Sequence, residues 1–107
     1  MPLNSEIQEL WNEHSSASFP KGYGGNEIDS IDLALLDTET AGCIQTFINN
    51  DCHLDVRRVQ VLKHCLDNLT VVTKKLDGNA LRYFTRIKTL AALILQEIGN
   101  NSSNNKD

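Results

Sequence analysis

The chain has 107 residues and a formal net charge of -4, with 40% of its residues apolar and 22% charged. This length corresponds to one domain, and it leaves little room for both a hydrophobic core and a deep substrate cleft. The acidic balance argues against non-specific binding of nucleic acid, because an acidic surface repels a polyanion.

The first residues of the chain do not resemble a secretory signal peptide. The sequence MPLNSEIQEL has neither the basic region nor the apolar stretch of a secretory signal peptide. No apolar run in the sequence approaches the length of about 20 residues that a membrane span requires. We therefore expect a cytoplasmic protein without a membrane partner, in which the three cysteines are reduced thiols.

Acidic and basic residues are concentrated in different halves of the chain. Residues 1–53 contain nine acids and one base, whereas residues 54–107 contain nine bases and five acids. We expect the two halves to pack together and partly neutralise each other. The alternative is a bipolar surface that steers a charged partner.

A short first helix is predicted over residues 5–14. Ser5 followed by Gln8 matches a capping box at its start. Residues at three- and four-residue spacing form one face of this helix: Ile7, Leu10, Trp11 and His14. We expect the helix to pack through Trp11 and to expose its three glutamates.

Residues 15–25 are predicted to form a loop, because Pro20 and three glycines interrupt any regular pattern. Two aromatic residues, Phe19 and Tyr23, lie in this loop. We expect both rings to attach the loop to the helical bundle, since aromatic surface anchors irregular chain effectively. The alternative is a glycine-hinged lid over a ligand or a partner.

Residues 28–48 contain no basic residue and are predicted to form the central helix, capped by Asp29 or Ser30. A strand over residues 31–35 is a weaker interpretation, because the sequence shows no partner strand. A broad apolar face is formed by Leu33, Leu36, Ala41, Cys43, Ile44, Phe47 and Ile48. Gly42, inside the helix, is expected to allow the close approach of a neighbouring helix.

Asp37 falls inside the apolar arc of this central helix. Two arrangements explain its position. Either the helix breaks near Leu36 and Asp37 caps a second helix, or the helix is continuous and Asp37 needs a buried partner. We favour one buried helix.

A third helix is predicted from its cap, Asp55, to about residue 76, and a fourth over residues 80–98, ending at Gly99. Gly78 suits the left-handed conformation in the short connection, so the two helices are expected to form an antiparallel αα-hairpin. The predicted fold is all-α, a small antiparallel bundle of about four helices. Residues 1–99 form its single domain, and residues 100–107 are predicted to be a disordered polar tail.

The sequence predicts neither a metal site nor a cofactor. Two Cys/His pairs invite a zinc interpretation, but about 12 Å of helix would separate the second pair from the start of the third helix. Cys65 is instead expected to be buried, with His64 exposed to solvent. No nucleophile and base stand at a spacing typical of an enzyme, so we expect a protein without catalytic activity.

The lead hypothesis is a non-enzymatic protein-protein interaction module or small regulator that binds a protein partner or itself. Adaptors and immunity proteins share this profile. Val71 and Leu93 are apolar residues outside the predicted seams, which are the apolar faces of the third and fourth helices. The seam residues are Val59, Leu62, Cys65, Leu66, Leu69, Val72 and Leu76 in the third helix and Tyr83, Phe84, Ile87, Leu90, Ala91, Ile94, Leu95 and Ile98 in the fourth. The alternative is a small-ligand-binding regulator with its site under the predicted loop. Its candidate site residues are Trp11, Phe19, Tyr23 and Asp37.

Overall fold

A computed structural model describes residues 4–104, with side chains described through residue 100. The elements of this part of the chain are α1 (Ser5–Ser16), β1 (Glu27–Ile28), β2 (Ile31–Asp32), α2 (Leu33–Asn49), α3 (Val56–Thr73) and α4 (Gly78–Asn104). The predicted all-α bundle is confirmed. Helices α3 and α4 form the predicted αα-hairpin, α2 packs against both, and α1 packs along α4.

The N-cap of α1 is Asn4 and not Ser5. The Asn4 side chain accepts hydrogen bonds from the backbone N–H groups of Glu6 and Ile7, which the first turn of a helix leaves without partners. Ile7 and His14 are buried on the face that packs against the bundle. The helix therefore uses the predicted face, although its start differs from the capping-box prediction.

A β-hairpin precedes α2, which corrects the prediction that the central helix begins at Asp29 or Ser30. Ile28 pairs with Ile31 in an antiparallel register. Asp29 and Ser30, the two turn residues, have φ values of 51° and 68°. Positive φ at both central residues is the requirement of a type I′ hairpin turn, and it is incompatible with a helix start.

Helix α2 is continuous through Asp37, as we favoured. Its N-cap is Asp32, whose carboxylate accepts a hydrogen bond of 3.0 Å from the backbone N–H of Leu35. Because Asp32 already caps the helix, Asp37 lies inside it, more than one turn from the start. The interpretation in which Asp37 caps a second helix is therefore wrong.

The core is formed by the facing sides of α2, α3 and α4, and Ile7 from α1 closes it. Its largest fully buried apolar side chains are Ile7, Leu33, Ile44, Phe47, Leu62, Leu69, Val72, Phe84, Ile87, Leu90 and Ile94. Cys65 is buried and His64 is exposed, as predicted. None of the described helices combines the length and the apolar character that crossing a lipid bilayer requires.

Helix α4 continues through Gly99 to Asn104, beyond the predicted end of the fourth helix. A single glycine inside a helix costs only about 1 kcal/mol relative to alanine, which does not stop a helix. Residues 100–104 are therefore helical, which corrects the predicted helix end. Residues 105–107 lie outside the described part of the chain, so the disorder of the tail stays a prediction.

Gly42 is exposed on α2, and the prediction of a closely packed neighbour at this position is wrong. A Cβ atom added to Gly42 would meet no described atom within 4 Å. Gly42 therefore contributes backbone freedom to the unfolded chain and no packing to the folded one.

We expect Gly42→Ala to raise the free energy of unfolding by about 0.5–1 kcal/mol, because alanine favours the helix and has room there. Urea titration followed by circular dichroism measures the change. The matched control is Gly78→Ala, where φ is +57° and the surrounding space is also open. This change should instead destabilise the protein by about 1–2 kcal/mol, because an L-residue strains the left-handed backbone. A destabilising Gly42→Ala would contradict the account.

Candidate functional site

The carboxylate of Asp37 lies where α1, α2 and α4 meet. Its Oδ1 atom is 3.2 Å from Nε2 of His14, and its Oδ2 atom accepts a hydrogen bond of 2.8 Å from the Tyr83 hydroxyl. The Asp37 side chain is 17% exposed and that of His14 only 4%. Asp37 is thus a largely buried acid with one partner on each neighbouring helix.

The geometry around His14 determines which of its ring nitrogens carries the proton. Nε of Arg86, which can only donate, lies 3.4 Å from Nδ1 of His14, so Nδ1 accepts. Nε2 then donates to the carboxylate of Asp37. The bonds run from Arg86 to His14 to Asp37, and Tyr83 donates to the same carboxylate. We call these four residues the Asp37 network.

Tyr83 connects the Asp37 network to the aromatic side chains around it. Its ring centroid is 4.6 Å from that of His14, and its edge-on neighbours Phe84 and Phe19 lie at 5.3 and 5.6 Å. Burial, and next the hydrogen bond to Asp37, raise the pKa of Tyr83 well above its ordinary value of 10.0. The hydroxyl therefore keeps its proton at neutral pH and serves as a donor.

A partly enclosed groove of about 570 Å³ lies between the loop after α1 and the start of α4. Residues 17–21 and 23 form the loop wall, and residues 77–80, 82, 83 and 86 form the opposite wall. We call this cavity the loop groove. Tyr83 and Arg86 belong both to its wall and to the Asp37 network, so the network positions part of the groove surface.

The structure divides the predicted site residues into two groups. Phe19 and Tyr23 line the loop groove. Phe19 also packs edge-on against Tyr83 and Phe84, which anchors the loop. Trp11 and Asp37 are not among the residues of the groove wall. Asp37 belongs to the Asp37 network, and the Trp11 ring lies beside that network, stacked 6.2 Å from the His14 ring.

Sequence reasoning did not select His14, Tyr83 or Arg86 as site residues. His14 and Tyr83 did carry a signal, because both fall on apolar helix faces and a buried polar group needs a hydrogen-bonding partner. Arg86 carried no such signal, because no sequence pattern indicates that an arginine on a helix is partly buried. Its side chain is only 16% exposed, and its guanidinium lies 5.6 Å from the Tyr83 ring centroid.

The three cysteine thiols lie in environments that favour their protonated form. Burial raises the pKa of the Cys43 and Cys65 thiols, and partial burial does the same for Cys52, so the reactive thiolate form is disfavoured. Within residues 4–104, no group of three or more Cys, His, Asp or Glu side chains is arranged to hold a metal ion.

Comparisons with protein-family models, curated proteins and solved structures found no match to this chain.

The raised pKa of Tyr83 predicts a specific alkaline sensitivity. Above pH 10 the unfolded chain releases the Tyr83 proton while the folded chain keeps it. The contribution of this protonated hydroxyl to the free energy of unfolding is therefore complete below pH 10. It is lost as the pH rises from 10 through the raised pKa of Tyr83. Above pH 10 we expect the free energy of unfolding to fall more steeply for the wild type than for Tyr83→Phe. The two slopes should differ by up to about 1.4 kcal/mol per pH unit.

Urea titrations between about pH 9 and pH 11 measure the two slopes. Tyr23→Phe is the matched control, because it removes a tyrosine hydroxyl outside the Asp37 network and should keep the wild-type slope. Equal slopes for the wild type and Tyr83→Phe would show that Tyr83 does not titrate differently in the folded chain.

Proposed function

We propose that this chain is a non-enzymatic, cytoplasmic small-ligand-binding protein and that its site is the loop groove. One observation carries the proposal: a cavity of about 570 Å³ lies directly against the loop that holds Phe19 and Tyr23. Small-molecule sites typically have volumes of about 300–1,000 Å³, and they combine aromatic side chains with a few polar groups. The groove wall has both.

The construction of the loop supports its use as a cover for a ligand. Phe19 fixes one point of the loop on α4, while Gly22 and Gly25 have φ values of 83° and 84° that favour glycine. Tyr23 is half-buried between these two glycines. A loop that is attached at one ring and carries a second ring between two glycines is suited to cover a bound molecule.

The chemistry of the neighbouring groups supports binding rather than catalysis. Both oxygens of the Asp37 carboxylate already have hydrogen-bonding partners in His14 and Tyr83, and Asp37 is not part of the groove wall. The raised pKa of Tyr83 suits a hydrogen-bond donor more than a group that exchanges protons near neutral pH.

A protein partner or a homo-oligomer is the second candidate, and exposed apolar side chains favour it. Val56 is 77% exposed and Leu35 is 55% exposed. Leu35 borders a groove of about 350 Å³ between α2 and α3, together with Ile31 and Leu36. Val71 and Leu93, which suggested self-association in the sequence, are half-buried, so they contribute less apolar surface than expected.

A thermal-shift screen with a metabolite library tests the ligand proposal. We expect at least one compound to raise the melting temperature, because a ligand that binds only the folded state adds about 2.7 kcal/mol at 100 times its dissociation constant. Tyr23→Ala should abolish this shift, since it removes a ring from the groove wall. Trp11→Ala, which removes a ring outside the groove, should retain the shift.

A library in which no compound shifts the melting temperature would contradict the proposal, as would a shift that Tyr23→Ala leaves unchanged. A dimer in light scattering together with a negative screen would favour the second candidate.

A further inference from the structure

The charged side chains that line the loop groove are mostly cations. Lys21 comes from the loop, Arg82 and Arg86 come from α4, and Asp77 is the one acid in the wall. The formal charge of the groove lining is therefore +2, whereas the whole chain has a formal charge of -4. A surface of this sign in an acidic protein attracts anions locally.

The three cations differ in how far other side chains neutralise them. Nη1 of Arg86 lies 3.5 Å from a carboxylate oxygen of Glu13, and Nε of Arg86 donates to His14. The side-chain partner of Arg82 is the neutral amide of Asn79. Among the described residues, the ion pairs involve neither Arg82 nor Lys21. Most of the uncompensated positive charge therefore lies on these two side chains.

The aromatic lining of the groove gives a second, independent indication of the ligand. Phe19 and Tyr23 are half-buried, so part of each ring remains available to a bound molecule. Tyr83 is buried behind them, and its edge-on contact with Phe19 at 5.6 Å holds that ring in place. Rings held in this way offer a surface on which a planar molecule can stack.

We propose that the loop groove binds a small aromatic anion. Its carboxylate or phosphate group contacts Arg82 and Lys21, and its ring packs against Phe19 and Tyr23. Arginine suits this role because its planar guanidinium donates two parallel hydrogen bonds to a carboxylate or a phosphate. This inference rests on the proposed function, and it adds the chemical class of the ligand.

A neighbouring groove provides an internal comparison. Arg82 and Arg86 also border a cavity of about 440 Å³ between α1 and α4, together with Leu10, Leu81 and Glu13. That cavity has cations but no aromatic ring in its lining. It therefore lacks the combination that defines the loop groove, although an anion bound there would also depend on Arg82. Tyr23 lines only the loop groove, so its variants separate the two cavities.

Isothermal titration calorimetry with four probes tests the ligand class: 2-naphthoate, 2-naphthyl phosphate, neutral 2-naphthamide and the non-aromatic anion decanoate. We expect one or both aromatic anions to bind at least about tenfold more tightly than 2-naphthamide, since only they form charge-assisted hydrogen bonds. The preference between the first two probes distinguishes carboxylate from phosphate. Decanoate should bind more weakly than 2-naphthoate, because it cannot stack on the rings.

Two variants and one control connect this binding to the groove. Arg82→Gln should weaken 2-naphthoate binding about tenfold and leave 2-naphthamide unchanged, because it removes one cation and no ring. Tyr23→Leu should weaken both probes. Arg57→Gln removes an exposed arginine of α3 outside the groove, and it should leave every affinity unchanged.

The outcomes that overturn the inference are distinct from those that overturn the proposed function. Equal affinities for 2-naphthoate and 2-naphthamide, both reduced by Tyr23→Leu, would exclude the anion class and retain the loop groove as a binding site. If Arg82→Gln weakens binding and Tyr23→Leu does not, the anion binds in the neighbouring cavity. That result would overturn the inference. Absence of binding by all four probes would also overturn it, and the library screen would then decide the proposed function independently.

Discussion

The burial of the Asp37 carboxylate is the constraint on which the arrangement of three helices depends. A carboxylate inside a helical bundle costs several kcal/mol unless donors replace the water that it loses. Here the donors come from two other helices, His14 on α1 and Tyr83 on α4. The positions of α1 and α4 along α2 are therefore fixed, because both donors must reach the same carboxylate. Arg86 completes the set by donating to the second nitrogen of His14.

The same contacts connect the interior of the bundle to the loop groove. Tyr83 donates to Asp37, and its ring edge supports Phe19, the residue that attaches the loop to α4. Arg86 is held between His14 and Glu13, and it also forms part of the groove wall. The buried Asp37 network therefore helps to fix the shape of the groove. Loss of that network would change the stability of the bundle and the shape of the groove together.

The seams of the third and fourth helices predict the bundle well, because helical periodicity is the strongest local signal in the sequence. The requirement that Asp37 find a partner also follows from its place in an apolar arc. The identity of the partners does not, since His14 and Tyr83 are 23 and 46 residues away in the chain. The sequence did not predict the hairpin, because strands of two residues are too short to show a periodic pattern. The hairpin turn is defined by the positive φ values of Asp29 and Ser30. A groove between a loop and a helix is likewise set by tertiary packing.

A double-mutant cycle between Asp37→Ala and Tyr83→Phe tests most directly whether the Asp37 network holds α2 and α4 together. Unfolding free energies of the wild type, both single variants and the double variant give the coupling between the two side chains. We expect a coupling of about 1.5–3 kcal/mol, the range typical of a hydrogen bond to a charged group. Glu39→Ala, which alters an exposed acid of α2, should show no coupling to Tyr83→Phe. Effects of Asp37→Ala and Tyr83→Phe that add to within about 0.3 kcal/mol would contradict the account.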